Sequence, residues 1–173
     1  IFIVLLTFAV AIRAEAGNPY ETSLQAYRVD NPQHPVLVVL TLTPGPEWHA
    51  YGNVQGPSGF PTVVTATADG AALEALYPPP VPGPDPIDPS LTVQLYDGGT
   101  PFFLPLPAAP ATVSARIKAL LCSATTCQPL QVELELQVPQ AGELPRAEDQ
   151  EWWPRFLAAT PGALSPAESP DAE

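Results

Sequence analysis

The two cysteines of this 173-residue chain are its strongest candidates for chemistry. Cys122 and Cys127 enclose four residues with the sequence SATT. Cysteines at opposite positions beside the turn of a β-hairpin lie close enough to form a disulfide. A disulfide exposed at a turn is accessible to an attacking thiolate and can undergo thiol–disulfide exchange.

Alternating residues on both sides of the cysteines predict the hairpin that would hold them. In residues 112–122 the apolar side chains share one strand face, and in residues 130–138 a second apolar set does the same. Counted along these strands, both cysteines fall on the opposite, polar faces, turned away from the core. The charged residues expected to pair across the hairpin are Arg116 or Lys118 with Glu133 or Glu135.

The residues alone leave three roles open for the cysteine pair. A disulfide that closes six residues stabilises a fold by about 2 kcal/mol, against about 4.7 kcal/mol for a 100-residue loop, so a structural role is possible but weak. Thiol–disulfide exchange is the second role. The third is a metal site, in which the thiolates join His49 or His34 to bind copper(I) or zinc.

The elements that must position the hairpin are short strands. Residues 17–139 predict an all-β domain, because short apolar runs alternate with Pro and Gly punctuation. The run from Pro35 to Pro44 is apolar on both faces and predicts a central strand, while residues 62–67 and 91–96 predict shorter ones. Strands at this spacing favour a two-sheet β-sandwich.

Prolines punctuate the segment from position 78 to position 89 and predict a stiff surface connection, since proline cannot donate a ladder hydrogen bond. Asp85 and Asp88 lie in this segment. We expect both carboxylates to be solvated rather than to form a catalytic pair.

The chain changes character after residue 139. Residues 140–160 predict a short amphipathic helical segment, and residues 161–173, rich in Pro, Ala and acidic residues, predict a disordered tail. Pro154 lies near the start of the helix, where proline is tolerated. The side chains expected to dock the helix onto the sandwich are Trp152, Trp153, Phe156 and Leu157.

The N-terminal residues and the charge predict an exported chain. Residues 1–16 combine an apolar run with an A-x-A-like site and predict a signal peptide with a truncated start, cleaved after Ala16. No later apolar stretch reaches spanning length, so we expect no membrane insertion of the mature chain. With 6 basic and 18 acidic residues, the chain is a poor match for nucleic acid or anionic membranes.

Three motifs resemble the N-terminal periplasmic domain of DsbD-type thiol:disulfide interchange proteins. The first is WHAYGN at residues 48–53 with GPSGFPT at residues 56–62, similar to that domain's W-H-x-Y strand and following loop. The second is LC…CQP at residues 121–129, similar to its cysteine hairpin. A weaker third match is LYDG at residues 95–98.

The resemblance implies an immunoglobulin-like two-sheet β-sandwich with a redox-active cysteine pair and no cofactor or metal. Reducing equivalents would reach it from a membrane-embedded donor domain and pass to thioredoxin-fold periplasmic proteins, including disulfide isomerases and cytochrome c maturation thioredoxins. The residues implied are Cys122 and Cys127 as the redox pair, Trp48, His49 and Tyr51 lining the sulfurs, and Leu95 and Tyr96 as a cap.

A rival hypothesis is a non-catalytic immunoglobulin-like binding or spacer module with an inert disulfide at its turn. The redox hypothesis expects both sulfurs to stand outside the packed interior, close enough to bond and open to a partner's thiol.

Overall fold

The computed structural model describes residues 18–162. The predicted signal peptide and residues 163–173 of the predicted tail lie outside the described residues. Within them, no helix is long and apolar enough to cross a membrane. The strands are β1 Tyr20–Arg28, β2 Val36–Pro44, β3 His49–Tyr51, β4 Val63–Ala68, β5 Ala71–Leu73, β6 Leu76–Tyr77, β7 Val81–Pro84, β8 Thr92–Tyr96, β9 Thr100–Leu106, β10 Ala111–Cys122, β11 Cys127–Val138 and β12 Thr160–Pro161.

These strands form two sheets, which confirms the predicted β-sandwich. One sheet has the order β1-β2-β9-β6-β12, and the other has the order β5-β4-β10-β3-β8-β7. β11 joins the second sheet by pairing with β10 along its whole length. All of these pairings between strands are antiparallel.

The main core lies between the two sheets and contains residues from both. Strand β2 supplies Val38 and Leu40, while β10 supplies Ile117 and Leu121, all of them fully covered. Because side chains alternate along a strand, the other face of β2 carries Leu37 and points into a second apolar cluster. The prediction of a central strand apolar on both faces is therefore confirmed.

The C-terminal helix covers that second cluster. Helix α1, Trp153–Leu157, has proline in its first turn, where the missing N–H group costs no helical hydrogen bond. The Trp152 ring packs edge-on against Tyr27 at 5.0 Å, and the Phe156 ring against Phe103 at 5.2 Å. Leu157 is 68% exposed, so its predicted docking is wrong.

Two proline-containing segments are more regular than the sequence predicted. β7 pairs with β8, although it lies within the segment predicted as a stiff surface connection. β12 pairs with β6, although the sequence predicts a disordered tail from residue 161 onward. Both strands lie at the edge of a sheet. Proline, which has no N–H group, is tolerated there because no further strand pairs with the outer side.

Candidate redox site

Hairpin β10–β11 brings the two cysteines together at its turn. The strands pair in register from Ala111 opposite Val138 to Cys122 opposite Cys127. The two sulfurs form a disulfide with an S–S distance of 2.02 Å and a Cα–Cα distance of 4.1 Å. Ser123 closes the turn, because its N–H group donates to the Thr126 carbonyl at 2.8 Å.

The alternation predicted for the hairpin is confirmed along both strands. The apolar residues of β10, such as Ile117, are buried in the main core, and the charged residues of the opposite face are exposed. Across that exposed face Arg116 pairs with Glu133, with 2.7 Å between guanidinium nitrogen and carboxylate oxygen. The predicted cross-strand ion pair therefore forms.

The two cysteines differ sharply in burial. Cys127 is exposed, whereas Cys122 is 0% exposed. The prediction that both sulfurs stand outside the packed interior is thus wrong for Cys122. Its strand face was predicted correctly, because Leu121 points into the main core while Cys122 belongs to a separate small cluster. The error concerns what covers that face.

The cover comes from β3, which pairs with the end of β10, and from β8, which pairs with β3. Cys122 lies opposite His49 on β3, and Tyr51 on β3 lies opposite Leu95 on β8. Directly opposite residues of an antiparallel pair share a face, so these side chains lie on the Cys122 side of the sheet. The buried members of this cluster are Cys122, Tyr51, Val93 and Leu95, with Leu120 packed against them.

Tyr51 is fixed from two directions. Its hydroxyl donates to Oδ2 of Asp85 at 2.9 Å. Its ring lies against Gly59, where a Cβ atom would stand 2.4 Å from the ring and where φ is +73°. Only glycine fits this position, because any side chain would meet the ring and would strain the backbone. Burial raises the pKa of Tyr51, and the Asp85 carboxylate raises it further, so the phenol keeps its proton.

Asp85 is buried, contrary to its predicted solvation. It is 1% exposed, and its Oδ1 accepts hydrogen bonds from the N–H groups of Ile87 and Asp88 at 2.8 and 3.0 Å. Burial alone would raise the pKa of this carboxyl. The hydrogen bonds it accepts outweigh that cost and hold the pKa of Asp85 below its ordinary value. Asp85 is therefore a charged anchor for Tyr51.

His49 lies beside the disulfide and has a carboxylate partner. Its Nδ1 bonds to Oδ1 of Asp97, in the loop that follows β8. The two side chains are 35% and 53% exposed. Cys127, Cys122, His49 and Asp97 thus form a row across neighbouring segments of the sheet.

Two of the residues implied by the resemblance lie elsewhere. Trp48 packs against the main core. Tyr96 is also in the main core, edge-on to Phe102 at 5.3 Å, with its hydroxyl donating to Asn53 at 2.8 Å. Since Leu95 and Tyr96 are neighbours on a strand, only one can face the disulfide, and that one is Leu95. The structure therefore brings His49, Tyr51 and Leu95 to the cysteines, but not Trp48 or Tyr96.

Nothing in residues 18–162 gathers three His, Cys, Asp or Glu side chains into a metal-binding group. His34 lies in the loop between β1 and β2, where its N–H group donates to Asn31, and His49 is bonded to Asp97. A groove of about 580 Å³ lies over β4 and β5 and includes neither cysteine.

Sequence reasoning missed Asp85, Gly59 and Asp97 as parts of the site. Asp97 belongs to the LYDG motif at residues 95–98, but its contact with His49 depends on the register of β3 with β8, which the sequence does not indicate. Gly59 carried a signal, because glycine after serine in a loop often marks positive φ. Asp85 gave none, since an aspartate among prolines is usually solvated.

Comparisons with known proteins agree with this fold. The family described as "Thiol:disulfide interchange protein DsbD, N-terminal" matches residues 19–139. The structure is similar to the N-terminal periplasmic domain of ScsB from Proteus mirabilis, with a TM-score of 0.59 and 17% sequence identity. That alignment covers 87% of this chain and 57% of the ScsB chain. No curated protein sequence matches this chain significantly.

Proposed function

We propose that this chain, which belongs to the family of the N-terminal domain of the thiol:disulfide interchange protein DsbD, exchanges its Cys122–Cys127 disulfide with the thiols of exported partner proteins. The compartment we propose is the periplasm, to which the name of the similar ScsB domain refers. The proposed partners are thioredoxin-fold proteins on one side and a membrane-embedded electron donor domain on the other.

The observation that carries this proposal is the unequal burial of the two bonded cysteines. Thiol–disulfide exchange needs one sulfur that an attacking thiolate can reach and a second sulfur that leaves. Cys127 is exposed at the turn, and Cys122 is covered. The geometry therefore supports attack at Cys127 and departure of Cys122.

The chemistry balances in both directions. When the domain is reduced, a donor thiolate attacks the Cys127 sulfur, a mixed disulfide forms, and the electron pair of the broken bond remains on the Cys122 sulfur. The donor's second thiolate then attacks the donor sulfur of the mixed disulfide, which frees Cys127 and leaves the donor oxidised. When the domain reduces a partner, the Cys127 thiolate attacks the partner disulfide, and Cys122 then attacks Cys127 and releases the partner.

Tyr51 and Leu95 support this role by controlling access. They cover Cys122 from the two neighbouring strands, and Asp85 holds the tyrosine in place. We propose that this cover protects the leaving sulfur from unrelated thiols and oxidants, so that exchange proceeds only through Cys127.

The test is to trap a mixed disulfide with two matched variants. Cys122→Ser retains the exposed thiol, and Cys127→Ser retains the covered one. Each variant is incubated with a thioredoxin-fold protein in which serine replaces the resolving cysteine and the attacking cysteine is activated as a mixed disulfide. The covalent adducts are then counted by mass spectrometry. We expect the adduct with Cys122→Ser and about 100-fold less with Cys127→Ser, because a covered thiol reacts only when the cover opens. Equal trapping by both variants, or none with Cys122→Ser, would contradict the proposal.

The burial of Cys122 also favours a second candidate, a binding or spacer module with a structural disulfide. In that case the intact Cys122–Cys127 disulfide would resist reduction by physiological thiols. The reduction potential of the pair therefore separates the two functions.

A further inference from the structure

The residue paired with Cys122 on strand β3 is a histidine whose ring bonds a carboxylate. His49 lies directly opposite Cys122 in the register of β3 and β10. Side chains at such opposite positions share a face, with Cβ atoms roughly 5 Å apart. Asp97 bonds the Nδ1 atom of His49, so the nitrogen left to exchange a proton is Nε2.

A covered thiolate is costly without a proton or a positive partner, because burial penalises the charged form. Cys122 is fully covered, and the lysine on its strand face, Lys118, is four residues away along β10, roughly 13 Å. His49, by contrast, is adjacent and 35% exposed, so it can take up a proton from solvent. His49 is therefore a nearby group that can neutralise the sulfur when the disulfide opens.

We infer that His49, oriented by Asp97, is the acid–base group for the Cys122 sulfur; this inference rests on the proposed function only for its biological use. When an external thiolate attacks Cys127, the S–S bond breaks and its electron pair moves to Cys122. The imidazolium of His49 gives its Nε2 proton to that sulfur, leaving a Cys122 thiol and a neutral imidazole. On closure the imidazole takes the proton back as Cys122 attacks Cys127.

Asp97 orients the ring of His49 by bonding its Nδ1 atom. Tyr51, two residues along β3, is engaged by Asp85 and keeps its proton. The titratable groups on the elements packed around His49 are Asp97 after β8, Tyr51 on β3, Cys122 and Lys118 on β10, Cys127 on β11 and Glu47 before β3.

The test measures the reduction of the intact disulfide by dithiothreitol between pH 5.5 and pH 8, with each rate divided by the concentration of dithiothreitol thiolate. Three variants are compared with the unmodified chain: His49→Gln, Asp97→Asn and, as a matched control, His34→Gln at the chain's other histidine. Histidine is the side chain whose ordinary titration falls in this range, so a proton supplied by His49 appears as a rate that rises when the pH falls.

We expect the corrected rate to rise roughly tenfold from pH 8 to pH 5.5 in the unmodified chain and in His34→Gln. The rise should vanish in His49→Gln. In Asp97→Asn the rise should be smaller, because the ring loses the carboxylate that orients it. A rise in the corrected rate that persists in His49→Gln would overturn the inference. So would a rate that His49→Gln lowers by the same factor at every pH, because that result indicates a merely structural role.

The two proposals can fail separately. If the trapping experiment fails while the acid-side rise depends on His49, the partner function falls and the acid–base role stands. If trapping succeeds while the unmodified chain shows a flat corrected rate, the role of His49 falls and the exchange function stands.

Discussion

One face of β10 is open at its middle and covered at its end. At Arg116 this face is exposed, and the ion pair with Glu133 lies in solvent. Six residues further along the same face, Cys122 is fully covered. Both residues pair with β11 on one side of β10. The strand on the other side of β10 makes the difference.

At its middle β10 pairs with β4, and Arg116 lies opposite the exposed Thr65. At its end β10 pairs with β3, whose aromatic side chain at Tyr51 packs with Leu95 over the cysteine. The same face of β10 is therefore exposed at Arg116 and covered at Cys122. What the neighbouring strand carries decides which of the two occurs.

The largest expected effect concerns thiol reactivity. In Cys122→Ser the remaining Cys127 should react with iodoacetamide on the order of 100-fold faster than Cys122 does in Cys127→Ser, because a covered thiol must wait for local opening. The rates are measured by mass spectrometry at pH 8 under native conditions. In urea, where the fold is lost, the two alkylation rates should converge. Similar rates under native conditions would contradict the prediction, because they would mean that the two cysteines are equally accessible.

Removing the cover over Cys122 should expose this face of β10 at its end, as it is exposed at its middle. Leu95→Ala truncates a buried side chain, and we expect it to lower the free energy of unfolding by about 2–4 kcal/mol. In the Cys127→Ser background it should also raise the alkylation rate of Cys122 about tenfold.

The matched control for this change is Leu134→Ala, which truncates a leucine buried in the main core. It should cost a similar free energy of unfolding, seen by urea denaturation, without a specific gain in Cys122 reactivity. Equal gains in the two variants would show that global destabilisation, not loss of the cover, exposes the sulfur.

Asp85→Asn tests the charged anchor of the covering tyrosine. Because the pKa of Asp85 is lowered in the fold, its carboxylate stabilises the fold above the unfolded-state pKa of about 3.9, and this stability is lost as the pH falls through the folded-state pKa. We expect the variant to lose about 1–3 kcal/mol at pH 7 and clearly less at pH 2.5, measured by urea denaturation. Asp30→Asn, at an exposed position, is the control and should change little at either pH.

The smallest effect is expected at the open middle of the strand. Arg116→Ala breaks an ion pair whose side chains are 46% and 60% exposed, so the loss should be about 0.2–1 kcal/mol. A double-mutant cycle with Glu133→Ala measures the coupling energy. Disulfide exchange rates should be unchanged, and an altered rate would mean that the two regions are energetically linked.

Sequence reasoning predicted the hairpin well because its information is local. The period-two alternation assigns Ile117 to the core and Arg116 to solvent, and the spacing of Cys122 and Cys127 identifies the bridge. The same alternation says which face a residue occupies but not what lies on that face. Tyr51 and Leu95 reach Cys122 from strands that are distant in the chain, so the burial of Cys122 could not be read from its own neighbours.

Two further errors have the same origin. Asp85 is buried with a hydrogen bond from Tyr51, which lies 34 positions earlier in the chain. Pro161 joins a sheet because β6 offers a free edge. Tyr96 was assigned to the cap together with Leu95, although strand alternation sends neighbouring residues to opposite faces. That last error was avoidable from the sequence.

The most direct test of the central claim is the reduction potential of the Cys122–Cys127 pair, measured by equilibration with glutathione and with dithiothreitol. A pair that exchanges with protein thiols should have a potential above about −300 mV and should be partly reduced by glutathione. A potential below about −300 mV, with no reduction by glutathione, would contradict the exchange function and identify the bridge as structural.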